Sequence, residues 1–188
     1  RAAGPFGAGF LPKRDSAITP RLPPEATATV FDHVELSWSA RGGAPEEVFP
    51  HPRFDAHFYL ITLQERAAIG DAERAAQMPA LELVPASYVP VAELIPRVGA
   101  HWIDPNAPEF QGESFTASLL YGFYGGRMVF LEPRIARAFL ETRLDFTREL
   151  KLPREYTRRG YHPTRYRVGY DASTREYTVA LEGLVQRP

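Results

Sequence analysis

The chain has 188 residues, 44% apolar and 24% charged, the balance of an ordinary globular domain and not of a disordered, collagen-like or coiled-coil chain. Lys and Arg number 22 against 23 Asp and Glu, a net charge of −1, so the basic field that would hold nucleic acid is missing. Cysteine is absent, which excludes disulfides, thiolate metal sites and cysteine nucleophiles together and leaves any metal to nitrogen and oxygen ligands.

Residues 1–26 carry eight Gly and Pro without an apolar period and read as an extended arm. Residues 27–188 then read as a single β-rich domain. From Thr27 to Ser39 apolar positions alternate, with Val30, Val34, Leu36 and Trp38 on one side and Phe31, His33 and Glu35 on the other. A Gly/Pro loop over 41–52 leads into a second strand from Phe54 to Leu63, of which Phe58 to Leu63 is among the longest apolar stretches and falls far short of the roughly 18 residues of a membrane helix. Gln64 to Met78 reads as one or two short helices, and prolines 79, 85, 90 and 96 leave no room for a long element before Gly99.

Two hairpins stand out. One spans 115–132, with Gly125-Gly126 as a two-residue type I′ turn; its register pairs residues whose numbers sum to 251, which places Leu119 opposite Glu132. Pro133 to Arg143 reads as a short helix opened by proline. The other hairpin spans 165–182, turning at Asp171 to Thr174. The sum is an α+β fold, mainly antiparallel β-sheet with a few short helices.

The sequence has no phosphate loop, no GxSxG elbow, no HExxH and no dinucleotide fingerprint. Gly122 to Gly126 is explained as a turn. The five histidines remain. His51-Pro-Arg-Phe-Asp-Ala-His57 runs from a Pro-rich loop into an apolar strand, so Asp55, His57 and Tyr59 share one side of it. His57 and His101 both sit in aromatic sequence, where a charged imidazolium is costly and a neutral ring needs a bond or a metal. Glu132 ends an apolar strand. Metal ligation by His51, His57, His101 and Glu132 accounts for all four, since three imidazoles and a carboxylate suit copper, zinc or iron. Asp55 and Asp104 are then candidates to fix ring tautomers, and Tyr121 to border the cavity. Arg53 and Arg127 are candidates to steer a small anion. The competing reading makes each histidine a bonded core residue. His33 reads as a half-exposed partner of Glu35, and His162 as a solvated loop residue. No catalytic side chain is assigned.

The runs HPRFDAHFYLI (51–61), GAHWIDPNAPEF (99–110), SFTASLLYGFYGGRMVFLEPRIARAFL (114–140) and GYHPTRYRVGYDASTREYTVALEGLV (160–185) resemble a small family of exported bacterial domains of unknown function, found in thermophilic and radiation-tolerant bacteria. The resemblance implies a place in the periplasm, cell envelope or cell surface, a ring-like or other homo-oligomer, and metal binding at His51, His57, His101 and Glu132. It also implies copper-dependent superoxide dismutase activity. The Pro-rich start departs from the family's longer N-terminal region. A first residue of Arg1 in place of Met fits a removed export signal or a piece of a longer chain. The alternative expectation is a non-catalytic, oligomeric component of the envelope or surface layer, whose arm and strand edges dock on neighbours.

Overall fold

The computed structural model describes residues 14–43 and 45–188. Seven strands form the main sheet: β1 Ser16–Ile18, β2 His33–Ser39, β3 Arg53–Tyr59, β4 Val89–Ile95, β5 Gly99–Ile103, β6 Ala117–Tyr124 and β7 Arg127–Ala136, in the order β1-β2-β3-β7-β6-β5-β4. A second sheet has β8 Phe146–Glu149, β10 Arg165–Asp171 and β11 Glu176–Glu182, and a small ribbon joins β9 Gly160–His162 to β12 Val185–Arg187. All these strand pairs are antiparallel. Among the described residues there are also three short α-helices, α1 Leu63–Ala67, α2 Ala72–Ala75 and α3 Arg137–Glu141, and three short 3-10 helices. The fold is α+β and β-rich, as the strand patterning predicts.

The two sides of the main sheet differ, and that difference places the site. One side is apolar: Trp102, Leu119, Tyr121, Phe123, Leu131 and Ile135 pack against Tyr166 and Val168 of the second sheet. The other side carries Tyr59 and Phe130 beside buried His33, Asp55, His57, His101, Glu132 and Arg134. Burying that many polar groups is tolerable only when they answer one another.

Both hairpins form. Gly125 and Gly126 have φ of 60° and 71°, as the tight turn between β6 and β7 requires. Asp171 accepts hydrogen bonds from Ser173 N and Thr174 N and closes the β10–β11 turn. The β6–β7 register follows the predicted sum only near the turn, at Phe123 opposite Met128. A bulge then inserts Val129, so Phe130 opposes Gly122 and Glu132 opposes Leu120 in place of Leu119.

Two proline readings are corrected. Pro90 lies inside the seven-residue β4, because that strand is a sheet edge and is bulged between Pro90 and Leu94. Pro133 lies in β7, opposite Leu119, and the helix starts only at Arg137. Proline has no N–H to donate, and the β3–β7 pairing lapses beside it, between Asp55–Arg134 and Phe58–Leu131. Of the expected arm, residues 1–13 lie outside the described residues, while Ser16–Ile18 pairs with Trp38, Ser37 and Leu36 on the edge of the sheet.

Candidate metal centre

Strand alternation brings the polar residues to one side. On β3 the odd positions Arg53, Asp55, His57 and Tyr59 share a face, and β2 lays Glu35 opposite His57 and His33 opposite Tyr59. On β7 the matching positions are Phe130, Glu132 and Arg134. Asp55 pairs with Arg134 and Tyr59 with Phe130, so His57 falls opposite Glu132. His101 arrives from β5, opposite Gly122 of β6. Gly122 in turn opposes Phe130, and a Cβ at Gly122 would lie 2.0–2.3 Å from three carbons of the Phe130 ring. The ring therefore occupies the space the glycine leaves. From there it meets His57 edge-on at 4.9 Å and His101 at 5.3 Å between centroids.

Glu132 is fully buried at 0% exposure. Its two oxygens are divided. Oε1 accepts hydrogen bonds from Arg134 Nη2 at 2.8 Å and Nε at 3.1 Å. Oε2 lies 2.9 Å from His101 Nε2 and 3.6 Å from His57 Nε2. Yet Glu132 Oε2 and His101 Nε2 are both buried without a hydrogen bond that meets directional criteria, for proximity without alignment is not a bond. The three potential ligand atoms lie within 4.8 Å of one another. Two ligands each about 2.0–2.1 Å from a metal stand roughly 2.9 Å apart at a right angle and roughly 3.3 Å apart at a tetrahedral one. The observed 2.9 and 3.6 Å straddle those values. His57, His101 and Glu132 are thus a buried group that could hold a metal ion.

The protonation states suit ligation. Burial lowers the His57 pKa, and the attraction of Glu132 does not reverse that, so the ring stays neutral. Burial alone would raise the Glu132 carboxyl, but the Arg134 guanidinium beside it holds it well below the usual carboxylate range. Arg134 is pushed above its ordinary value because Glu132 and Asp55 outweigh its own desolvation. A metal competes only for deprotonated ligands, a condition that the neutral His57 ring and the ionised Glu132 carboxylate meet.

The same shifts predict how stability follows pH. Native His57 resists a proton that the unfolded ring accepts below about 6.5. Burial gives His162 the same direction, and native Glu132 resists a proton that the unfolded carboxyl accepts below about 4.5. In each window the unfolded chain binds more protons, so stability rises with pH and is lost on acidification, by up to about 1.4 kcal/mol per pH unit for each proton. We expect the urea midpoint to fall steadily as pH drops from about 6.5 to about 4. A midpoint that holds or climbs over that range contradicts this electrostatic account.

The other sequence candidates lie elsewhere. His51 is exposed in the bend before β3 and does not join the group. Asp55 is buried and faces the right way, but it accepts Arg53 Nε at 3.0 and 3.2 Å and lies 3.3 Å from Arg134 Nε, so it serves guanidinium groups and no imidazole. Asp104 accepts from Lys151 Nζ at 2.5 Å, Ser87 Oγ at 2.9 Å and Asn106 N at 3.1 Å. Tyr121 belongs to the opposite side of the sheet: it pairs with Trp102 one position out of phase with His101, and its hydroxyl donates to Lys151 O at 2.9 Å. Arg53 is buried and engaged by Asp55, leaving only Arg127 of the two steering candidates exposed.

His33 is buried and not half-exposed, with Nδ1 3.0 Å from Asp32 Oδ1, while Glu35 pairs with Arg66 at 2.7 Å. His162 is likewise buried, its Nε2 2.8 Å from Arg158 O. Three contributors escaped the sequence reading: Arg134, Gly122 and Phe130. Arg134 shares a face with Glu132, two positions away on β7, and the sequence reading lost it by ending the strand at Glu132 and opening a helix at Pro133. Gly122 was absorbed into the turn, and only the bulged register reveals its partner.

The chain matches no family model, no curated protein and no solved structure in the comparisons made.

Proposed function

We propose that the protein binds one transition-metal ion through Nε2 of His57, Nε2 of His101 and Oε2 of Glu132, with a further coordination position open to a small molecule. The observation that carries this reading is the Oε2 atom: a fully buried carboxylate oxygen without an aligned hydrogen bond, 2.9 Å from His101 Nε2 and 3.6 Å from His57 Nε2. A lone anionic oxygen in that position is expensive, and a cation shared by all three groups removes the cost.

We further propose that the ion is copper and that the reaction is superoxide dismutation at the cell envelope, in a protein exported and assembled as a homo-oligomer. Copper accepts imidazole ligands and supplies the one-electron redox step. A centre this buried suits a small substrate, and the Phe130 ring lies against both imidazoles, 4.9 Å from His57 and 5.3 Å from His101 between centroids. Zinc and iron accept the same donors; zinc has no redox step and would exclude this reaction.

Metal analysis of protein purified without chelators, with a superoxide assay on the wild type and on His57→Ala, tests both parts. We expect about one copper per chain and metal affinity lowered more than 100-fold in His57→Ala, a larger loss than removing groups that merely support ligands. Zinc at that stoichiometry rejects the redox part alone. Folded wild type that takes up no added copper or zinc rejects the metal.

One observation favours a second reading, a non-catalytic oligomeric component of the envelope or surface layer. Arg134 answers Glu132, and Arg53 answers Asp55, so the buried charges balance in pairs without any ion. Folded, metal-free protein that forms a stable oligomer is the outcome that supports it.

A further inference from the structure

The metal reading gives no part to Arg134, the most engaged charge in the site. Its guanidinium is buried and places two N–H groups, Nη2 at 2.8 Å and Nε at 3.1 Å, on one oxygen of Glu132 while leaving the other bare. A carboxylate meets a metal through one oxygen or both, and a second oxygen raises the coordination number. An Oε1 already holding two charge-assisted hydrogen bonds gives them up only at a cost.

Nor is Arg134 free to swing aside. Its Nε stands 3.3 Å from Asp55 Oδ1, and Asp55 is fixed in turn by Arg53 Nε at 3.0 Å. Fully buried Phe49 lies beneath both guanidinium groups, 4.7 Å from Arg134 and 5.6 Å from Arg53. A planar fork hydrogen-bonded to Glu132, ion-paired with Asp55 and stacked on a ring is held in one orientation.

We propose that Arg134, gripped by Asp55 and Phe49, is the positioning residue that restricts Glu132 to a single ligating oxygen, so that the centre offers three protein donors and selects ions content with four-coordination. Zinc, copper and cobalt meet that condition; magnesium and manganese, which favour six ligands rich in oxygen, do not. This rests on the metal reading above.

Cobalt(II) is the probe, because its visible absorption is intense when four-coordinate, intermediate when five-coordinate and weak when six-coordinate. Added to the full chain, Co(II) gives the intense band in the wild type. In Arg134→Met, with Oε1 released, the band loses intensity several-fold and Mn(II) competes several-fold better; Asp55→Asn, which loosens the grip on Arg134, shifts both in the same direction by less. A merely structural arginine would lower stability in these variants and leave the spectrum of the folded, loaded protein unchanged, and that result overturns the proposal. If Arg134→Met does not fold, the wild type still decides, since a weak band there overturns the single-oxygen ligand by itself while leaving the metal reading in place. Wild type that takes up no Co(II) overturns both.

Discussion

Replacing Glu132 by alanine should lower the unfolding free energy by about 3–5 kcal/mol, the range found when one partner of a buried ion pair is removed. The loss exceeds that of a surface pair because nothing else replaces the carboxylate. Glu132 has no exposure, and Arg134, itself buried, keeps only Asp55, which Arg53 already shares. A domain has roughly 5–15 kcal/mol in all, so the variant should be marginal at room temperature. The test is urea unfolding of Glu132→Ala beside Glu132→Leu/Arg134→Met. Removing both charges in favour of apolar groups of similar size should recover much of the loss. A single variant within about 1 kcal/mol of the wild type would mean that water reaches Arg134 and that the network is not dry.

Gly122→Ala should be nearly as damaging, although it adds one methyl group. The backbone there does not need positive φ, so the effect is steric: the new Cβ meets three ring carbons of Phe130 at 2.0–2.3 Å, and that ring is fully buried. Overpacking of this kind costs typically 1–3 kcal/mol and occasionally more, and the upper end is expected because Phe130 has aromatic and imidazole neighbours on several sides. The displaced ring must push on His57 or His101, so metal affinity should fall with stability. Phe130→Leu in the Gly122→Ala background should restore part of the stability. Calorimetry and metal titration on the two variants measure this, and a Gly122→Ala protein with wild-type values in both rejects the packing described.

The elements that sequence discloses here are those with local causes. Alternation is a property of neighbouring residues, so β3 and its polar side, with Asp55, His57 and Tyr59 together, were legible. So was the β10–β11 hairpin, to its end residues. Register is less local. One extra residue, Val129, moved Glu132 from Leu119 to Leu120 and thereby onto the side where His101 stands. His51 shows the other limit: closeness to His57 in sequence does not bring it to the same place, because His51 lies in the exposed bend before β3 and not on the strand. Tyr121 failed by parity itself, one position out of phase. Arg134 was overlooked because a reading that ends the strand at Glu132 and opens a helix at Pro133 removes Arg134 from the face that it shares with Glu132 on β7.

The bulge and proline of β4 restrict how copies of this molecule can meet. That strand closes one side of the main sheet, where an ordinary flat edge would invite a second copy to extend the hydrogen-bond ladder. Pro90 has no donor to offer an incoming strand, and the irregular backbone up to Leu94 breaks the repeat that such a strand would have to match. Assembly on this flank is thereby confined to contacts between side chains, and the runaway stacking that produces fibrils finds no template there.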